Sequence, residues 1–218
     1  MANGKEVLVL LSGSGVFDGA EIHESVITLL SLSRRGASWK IAAPDKPQHH
    51  VINHHSGEEM DEQRNARVEA ARIARGPVLS LDEVKVDDYD ALFIPGGFGA
   101  AKNLSSLAFD GPSCTIDPDF QSVVKAFHAA SKPIGAICIA PAVLVRALGF
   151  GNVTIGSDEG TAGAIAAMGG THSEAAVTEF IADKANKIVT SPAYMCEAPL
   201  HEIAEGIEGA VNAVLDLA

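Results

Sequence analysis

Three short apolar runs set the limits on how this chain can fold. Residues 6–11 read Glu-Val-Leu-Val-Leu-Leu and residues 90–94 read Asp-Ala-Leu-Phe-Ile. The third run, Pro133-Ile134-Gly135-Ala136-Ile137, leads into Cys138. Each is too short for a helix and lacks the polar alternation of a half-exposed strand. Runs of this kind are strands covered on both faces, as in parallel sheets. A helical pattern over 20–35 follows the first run, with Ile22, Val26, Leu29, Leu30 and Leu32 mostly on one side and Gly36 at its end. A further buried-type strand over 39–43 stops at Pro44-Asp45. Strand, helix, strand at this spacing is a βαβ unit, which predicts a parallel sheet with helices on both faces.

The pattern continues along the chain. Residues 44–60 are polar and irregular, and 62–75 read as a charged helix with Val68, Ala71 and Ile73 apolar. A helix over 119–131 places Phe120, Val123, Val124 and Phe127 on one side. Helices over 141–148 and 161–168 bracket a short strand over 153–155. Runs at 177–181 and 187–190 flank Asp183-Lys184-Ala185-Asn186, a hairpin turn. A last helix covers 200–217. With no repeat, low-complexity tract or linker, 218 residues read as one domain, 1–218, an open α/β sheet.

Ligands of open α/β sheets sit beyond the carboxyl ends of the strands. Gly13-Gly15, Gly96-Gly97 and Cys138 all fall at such ends. Cys138 sits between a strand and a proline-started helix pattern, with Ala136 and Ala140 two residues to either side. That is the small-x-nucleophile-x-small requirement of a nucleophile elbow. A helix N-terminus beneath it is expected to ionise the thiol. An unpaired cysteine can equally be an inert core residue. Cys114 and Cys196 lack the strand–turn–helix setting. The N–H groups of Gly97 and of Ile139 are candidates for an oxyanion hole. Glu21 and Glu24, three residues apart on one helix, are candidates for a protonated acid beside the thiol.

Two other motifs carry less. Ser12-Gly13-Ser14-Gly15-Val16-Phe17-Asp18-Gly19 imitates a dinucleotide fingerprint, but Asp18 stands at the third glycine position and no nicotinamide cofactor is expected. His49, His50, His54 and His55 lack metal-site spacing and read as an exposed polar loop. A net charge of −12 and 5% aromatic residues argue against nucleic acid and anionic membrane as partners. Three cysteines form no disulfide framework, and no apolar run approaches membrane-spanning length, so a cytoplasmic protein is expected.

Taken in order, the motifs resemble the class I glutamine-amidotransferase-like superfamily, which includes PfpI proteases and the Parkinsonism-associated deglycase. The resemblance is nearest to the ElbB (enhancing lycopene biosynthesis) branch. It is carried by residues 11–24, from Leu-Ser-Gly-Ser-Gly to Ile22-His23-Glu24, by Pro95-Gly96-Gly97-Phe98-Gly99 through Leu104, by Ala136-Ile137-Cys138-Ile139-Ala140-Pro141, and by 186–195 ending Pro192-Ala193-Tyr194-Met195. It implies a three-layer flavodoxin-like sandwich, Cys138 as nucleophile, Glu24 rather than Glu21 as the acid at the thiol, and Gly97 and Ile139 as backbone donors. It also implies a homodimer and glutathione-independent glyoxalase chemistry on small 2-oxoaldehydes, with no cofactor or metal. A non-enzymatic redox sensor linked to isoprenoid biosynthesis is the alternative. The histidine that many members carry after the next strand is missing from Val153-Thr154-Ile155-Gly156-Ser157-Asp158. His201, His172 and Asp158 are its possible replacements, and weak catalysis is expected.

Overall fold

The computed structural model describes residues 4–218. Its main sheet has six strands: β1 (Glu6–Leu10), β2 (Ser38–Ala42), β3 (Ala91–Ile94), β4 (Ile134–Ile137), β7 (Ile181–Asp183) and β8 (Ile188–Ser191). Their spatial order is β2-β1-β3-β4-β8-β7. All neighbours are parallel except β7, which pairs antiparallel with β8. A separate two-stranded sheet joins β5 (Asn152–Val153) to β6 (Thr171–His172). The helices are α1 (Ile22–Arg34), α2 (Ala66–Ala74), α3 (Phe98–Lys102), α4 (Leu107–Asp110), α5 (Pro118–Ala129), α6 (Ala140–Leu148), α7 (Glu159–Ala167) and α8 (Leu200–Leu217). This is the α/β flavodoxin-like architecture.

The side-chain period of two splits β1 between two cores. Leu8 and Leu10 join Leu92, Ile94 and Ile134 against Phe120, Val124 and Phe127 of α5 and Leu144 of α6. Val7, Val9 and Leu11 join Phe93 and Val189 against Leu32 of α1 and Ile203, Ile207 and Val211 of α8. Each fully buried leucine or phenylalanine contributes roughly 2–3 kcal/mol of transfer free energy. Burial on both sides is why the strands read as unbroken apolar runs.

The helix ends have local causes. Asp117 caps α5 by accepting the Phe120 N–H, and Pro118 starts it. Gly149 closes α6 at φ 85°, a left-handed position that suits glycine. Asn65 caps α2 by accepting from Arg67 and Val68, so that helix starts at Ala66 rather than at 62. Glu21 caps α1, which starts at Ile22 rather than at 20. The hairpin forms over 181–191, but 177–180 is not strand. The strand placed at 153–155 is only Asn152–Val153, and its partner β6 was unforeseen. Among the described residues no helix is long and apolar enough to cross a membrane.

Candidate active site

Cys138 follows β4 and precedes α6 with φ 60°, a left-handed conformation for a non-glycine residue. Such a position costs on the order of 1–2 kcal/mol and marks the sharp turn the elbow pattern requires. Its own N–H donates to the Ser191 carbonyl at 3.1 Å, which ties the turn to the end of β8. The residue is 7% exposed.

Beneath it lies Glu24, fully buried in the first turn of α1. The Glu24 carboxyl lies beside the Cys138 thiol, and each group shifts the ionisation of the other. Its Oε2 accepts the Gly96 N–H at 2.8 Å, and its Oε1 accepts the Tyr194 N–H at 3.4 Å. Glu21 has a different task. Its Oε2 accepts the Glu24 N–H at 2.7 Å, and its N–H donates to the Gly96 carbonyl at 3.0 Å. The two glutamates of one helix turn are thereby separated into a cap and a partner of the sulfur.

The glycine loop is shaped around this pair. A Cβ at Gly96 would lie 2.5 Å from the Cys138 Cβ, 2.9 Å from its Sγ and 2.9 Å from Glu24 Oε2. Gly97, at φ 90°, caps α3, and the N–H groups of Gly97 and Ile139 both act on the Cys138 thiol. The two expected oxyanion donors therefore bear on the same group.

Burial dominates the electrostatics. It pushes the Glu24 carboxyl up to about 7, the charge of Glu21 adds to this, and the donors from Gly96, Cys138 and Tyr194 oppose it. Burial also pushes the Cys138 thiol up, the charge of Glu24 reinforces the shift, and the N–H groups of Gly97 and Ile139 oppose it. A thiol ionised at rest by the α6 terminus is thus not what the site holds. A helix end is worth about 0.3–1 kcal/mol, less than desolvating a charge inside a core. At both groups burial favours the protonated form, and the carboxyl, raised to about 7, is the one that ionises near neutral pH.

Above the thiol opens a cavity of about 420 Å³. Val16, Phe98, Ile139 and Met195 form its apolar walls; Glu21, Asp158, Thr161 and Tyr194 add polar groups. Tyr194 Oη lies 2.7 Å from Nδ1 of His23, an exposed residue of α1. Of the three replacements considered for the missing histidine, Asp158 alone reaches this cavity. Its Oδ1 accepts the Thr161 N–H as the cap of α7, which holds its carboxyl below the usual range. His172 is held in β6, where its Nε2 accepts the Ile155 N–H at 3.4 Å, and His201 is exposed in the first turn of α8. The motifs that include His23 and Tyr194 assign neither a role at the thiol, and Thr161 lies outside them; the fold brings Tyr194 and Thr161 to the cavity and pairs His23 with Tyr194.

The Gly13–Gly19 loop is packed rather than open. Asn103 Nδ2 donates to the Ser12 and Asp18 carbonyls, and Asp18 Oδ2 accepts the Ile52 N–H. No three His, Cys, Asp or Glu side chains gather in a metal-holding cluster among the described residues. His49 stacks near Phe109, and His54 accepts the Phe17 N–H.

Fold and site together define an α/β sandwich whose strands bring a strained cysteine, a buried carboxyl and a glycine loop to one rim. The chain matches the DJ-1/PfpI family over residues 5–197. It belongs to that family, within the class I glutamine-amidotransferase-like superfamily. It is 47% identical to the mitochondrial ES1 protein homolog of Rattus norvegicus over 97% of this chain and 83% of that one. It is equally similar to the human mitochondrial protein named glutamine amidotransferase-like class 1 domain-containing protein 3, over 97% of this chain and 82% of that one. A crystal structure from Ehrlichia chaffeensis, named an isoprenoid biosynthesis protein with amidotransferase-like domain, superposes with TM-score 0.93 at 40% identity. The match covers 98% of this chain and 99% of that chain. The mitochondrial names overturn the cytoplasmic expectation. Cysteine usage pointed to a reducing compartment, and that does not single out the cytoplasm.

Proposed function

We propose that the protein is a cofactor-independent, glyoxalase-like enzyme that converts 2-oxoaldehydes such as glyoxal and methylglyoxal to 2-hydroxy acids. The observation that carries this reading is the buried Glu24 carboxyl set beside the Cys138 thiol, which lines a cavity. Glu24 takes the thiol proton as sulfur adds to the aldehyde carbon, giving a hemithioacetal. The N–H groups of Gly97 and Ile139, which act on the thiol, serve as donors to the new oxygen. A proton then leaves the former aldehyde carbon and returns at the adjacent carbon through an enediol. The first carbon is oxidised and the second reduced, so no outside oxidant is needed. Water hydrolyses the resulting thioester and restores the thiol. A carboxyl with pKa near 7 both accepts and returns protons at neutral pH.

The redox-sensor alternative draws less support, because a sensor needs an accessible, low-pKa thiol and burial pushes Cys138 up. The Ehrlichia neighbour's name supports assignment to the ElbB branch. A homodimer is the expected assembly, consistent with the exposed stripe Ile22, Val26 and Leu30 on α1. The test of function is lactate formation from methylglyoxal by wild type and Cys138→Ala. Loss of turnover in the variant supports the reading; equal rates overturn it.

A further inference from the structure

Resting on that reading, we propose that the cavity selects a 2-oxoaldehyde carried on a bulky, uncharged, largely apolar body and turns away aldehydes that bear a carboxylate or phosphate. Size is the first ground. The cavity holds about 420 Å³, within the roughly 300–1,000 Å³ of sites that seat drug-sized ligands. Methylglyoxal, with three carbons, fills a small part of it. The walls are the second ground. Phe98 and Val16 form one side, fixed together by the Phe98 N–H donating to the Val16 carbonyl at 2.8 Å. Ile139 and Met195 form another.

Charge is the third ground. The ionisable carboxyls on the cavity lining are Glu21 and Asp158, and no lysine, arginine or histidine joins them there. Lys102 is on the same helix as Phe98, but its ammonium donates to the Phe17 carbonyl at 2.9 Å and borders a separate, smaller cavity. His23 has its Nδ1 committed to the Tyr194 phenol. An entering carboxylate or phosphate would meet like charge with no cation to receive it, in a partly desolvated site. The net charge of −12 adds to this repulsion at longer range.

The test reads labelling of Cys138, not turnover. Methyl, benzyl and 4-carboxybenzyl methanethiosulfonate share one reaction: the thiolate attacks the sulfenyl sulfur, a disulfide forms and methanesulfinate leaves. Rates at Cys138 are followed by peptide mass spectrometry, at low ionic strength, each divided by its rate with a free small thiol. The benzyl reagent is expected to label faster than the methyl one. The 4-carboxybenzyl reagent is expected to be slower than the benzyl one by about tenfold, within the range of electrostatic steering. That gap should narrow with added salt and in Asp158→Asn, which keeps the cap acceptor of α7. A 4-carboxybenzyl rate equal to the benzyl rate, a gap indifferent to both salt and Asp158→Asn, or a methyl rate above the benzyl rate would overturn the proposal. The labelling order holding without lactate formation would sink the enzymatic reading alone. Lactate formation with a flat labelling order would sink the selectivity alone.

Discussion

The Cys138 thiol and the Glu24 carboxyl form one buried pair on either side of Gly96, although they are far apart in the chain. Both are pushed toward their protonated forms by the same burial. Ionisation removes one proton from the pair, and backbone donors wait at both ends: Gly96 and Tyr194 at the carboxyl, Gly97 and Ile139 at the sulfur. The charge rests on the carboxyl until the sulfur reacts, and a carboxyl near 7 can then take the thiol proton and return it.

Turnover should follow that proton. The carboxyl at about 7 must be unprotonated to accept from the thiol. The kcat/KM for methylglyoxal is expected to fall about tenfold per pH unit as pH drops below 7. Glu24→Gln should lose at least about 100-fold at every pH, the lower end of a general acid–base contribution. A pH-rate profile of both proteins checks this.

Stability should move the opposite way. The folded-state pKa of Glu24 is raised from 4.5 to about 7. A raised pKa means that the folded state binds more protons between those values. Its contribution is fully present below about 4.5 and is lost as pH rises through 7. Glu24→Gln should therefore stabilise the protein on the order of 1–3 kcal/mol at pH 8 and by little at pH 4.5. Urea unfolding at the two pH values measures it.

Gly96→Ala tests the fit of the loop. The added methyl would lie 2.5 Å from the Cys138 Cβ and 2.9 Å from both Sγ and Glu24 Oε2. It must separate the pair, and a small misplacement of reacting groups costs roughly 100-fold. Turnover should drop by about that factor, with a loss of about 1–3 kcal/mol in stability from overpacking.

The backbone at Cys138 offers a fourth test. At φ 60° an alanine keeps the left-handed strain and a glycine relieves it. Cys138→Gly should unfold about 1 kcal/mol harder than Cys138→Ala despite its greater unfolded-state entropy. Paired thermal or urea melts of these two variants give the difference.

Much of this arrangement was legible in the chain. Val7–Leu10, Ala91–Ile94 and Ile134–Ile137 announce themselves because both faces are covered. The elbow announces itself because Ala136, Cys138 and Ala140 must be spaced as they are. The choice between Glu21 and Glu24 was not available from the residues, since both suit a first helical turn. It depends on α1 starting at Ile22, which makes Glu21 the cap and sends Glu24 inward. Strand β6 is two residues long and carries no pattern. Asp158 and Thr161 reach the cavity from the start of α7 and Tyr194 from the turn after β8, a fact of packing that no spacing around Cys138 encodes. The sequence shows the helix end that lowers a thiol's pKa but not the depth of burial that pushes Cys138 up.

The most direct measurement is the rate of Cys138 alkylation by iodoacetamide against pH, in wild type and in Glu24→Gln. Wild type should show an inflection near 7 from the carboxyl, then a second rise at higher pH. Glu24→Gln should lose the inflection near 7 and keep a single rise. Superimposable profiles would mean that sulfur and carboxyl titrate independently, and the proposed chemistry would lose its base.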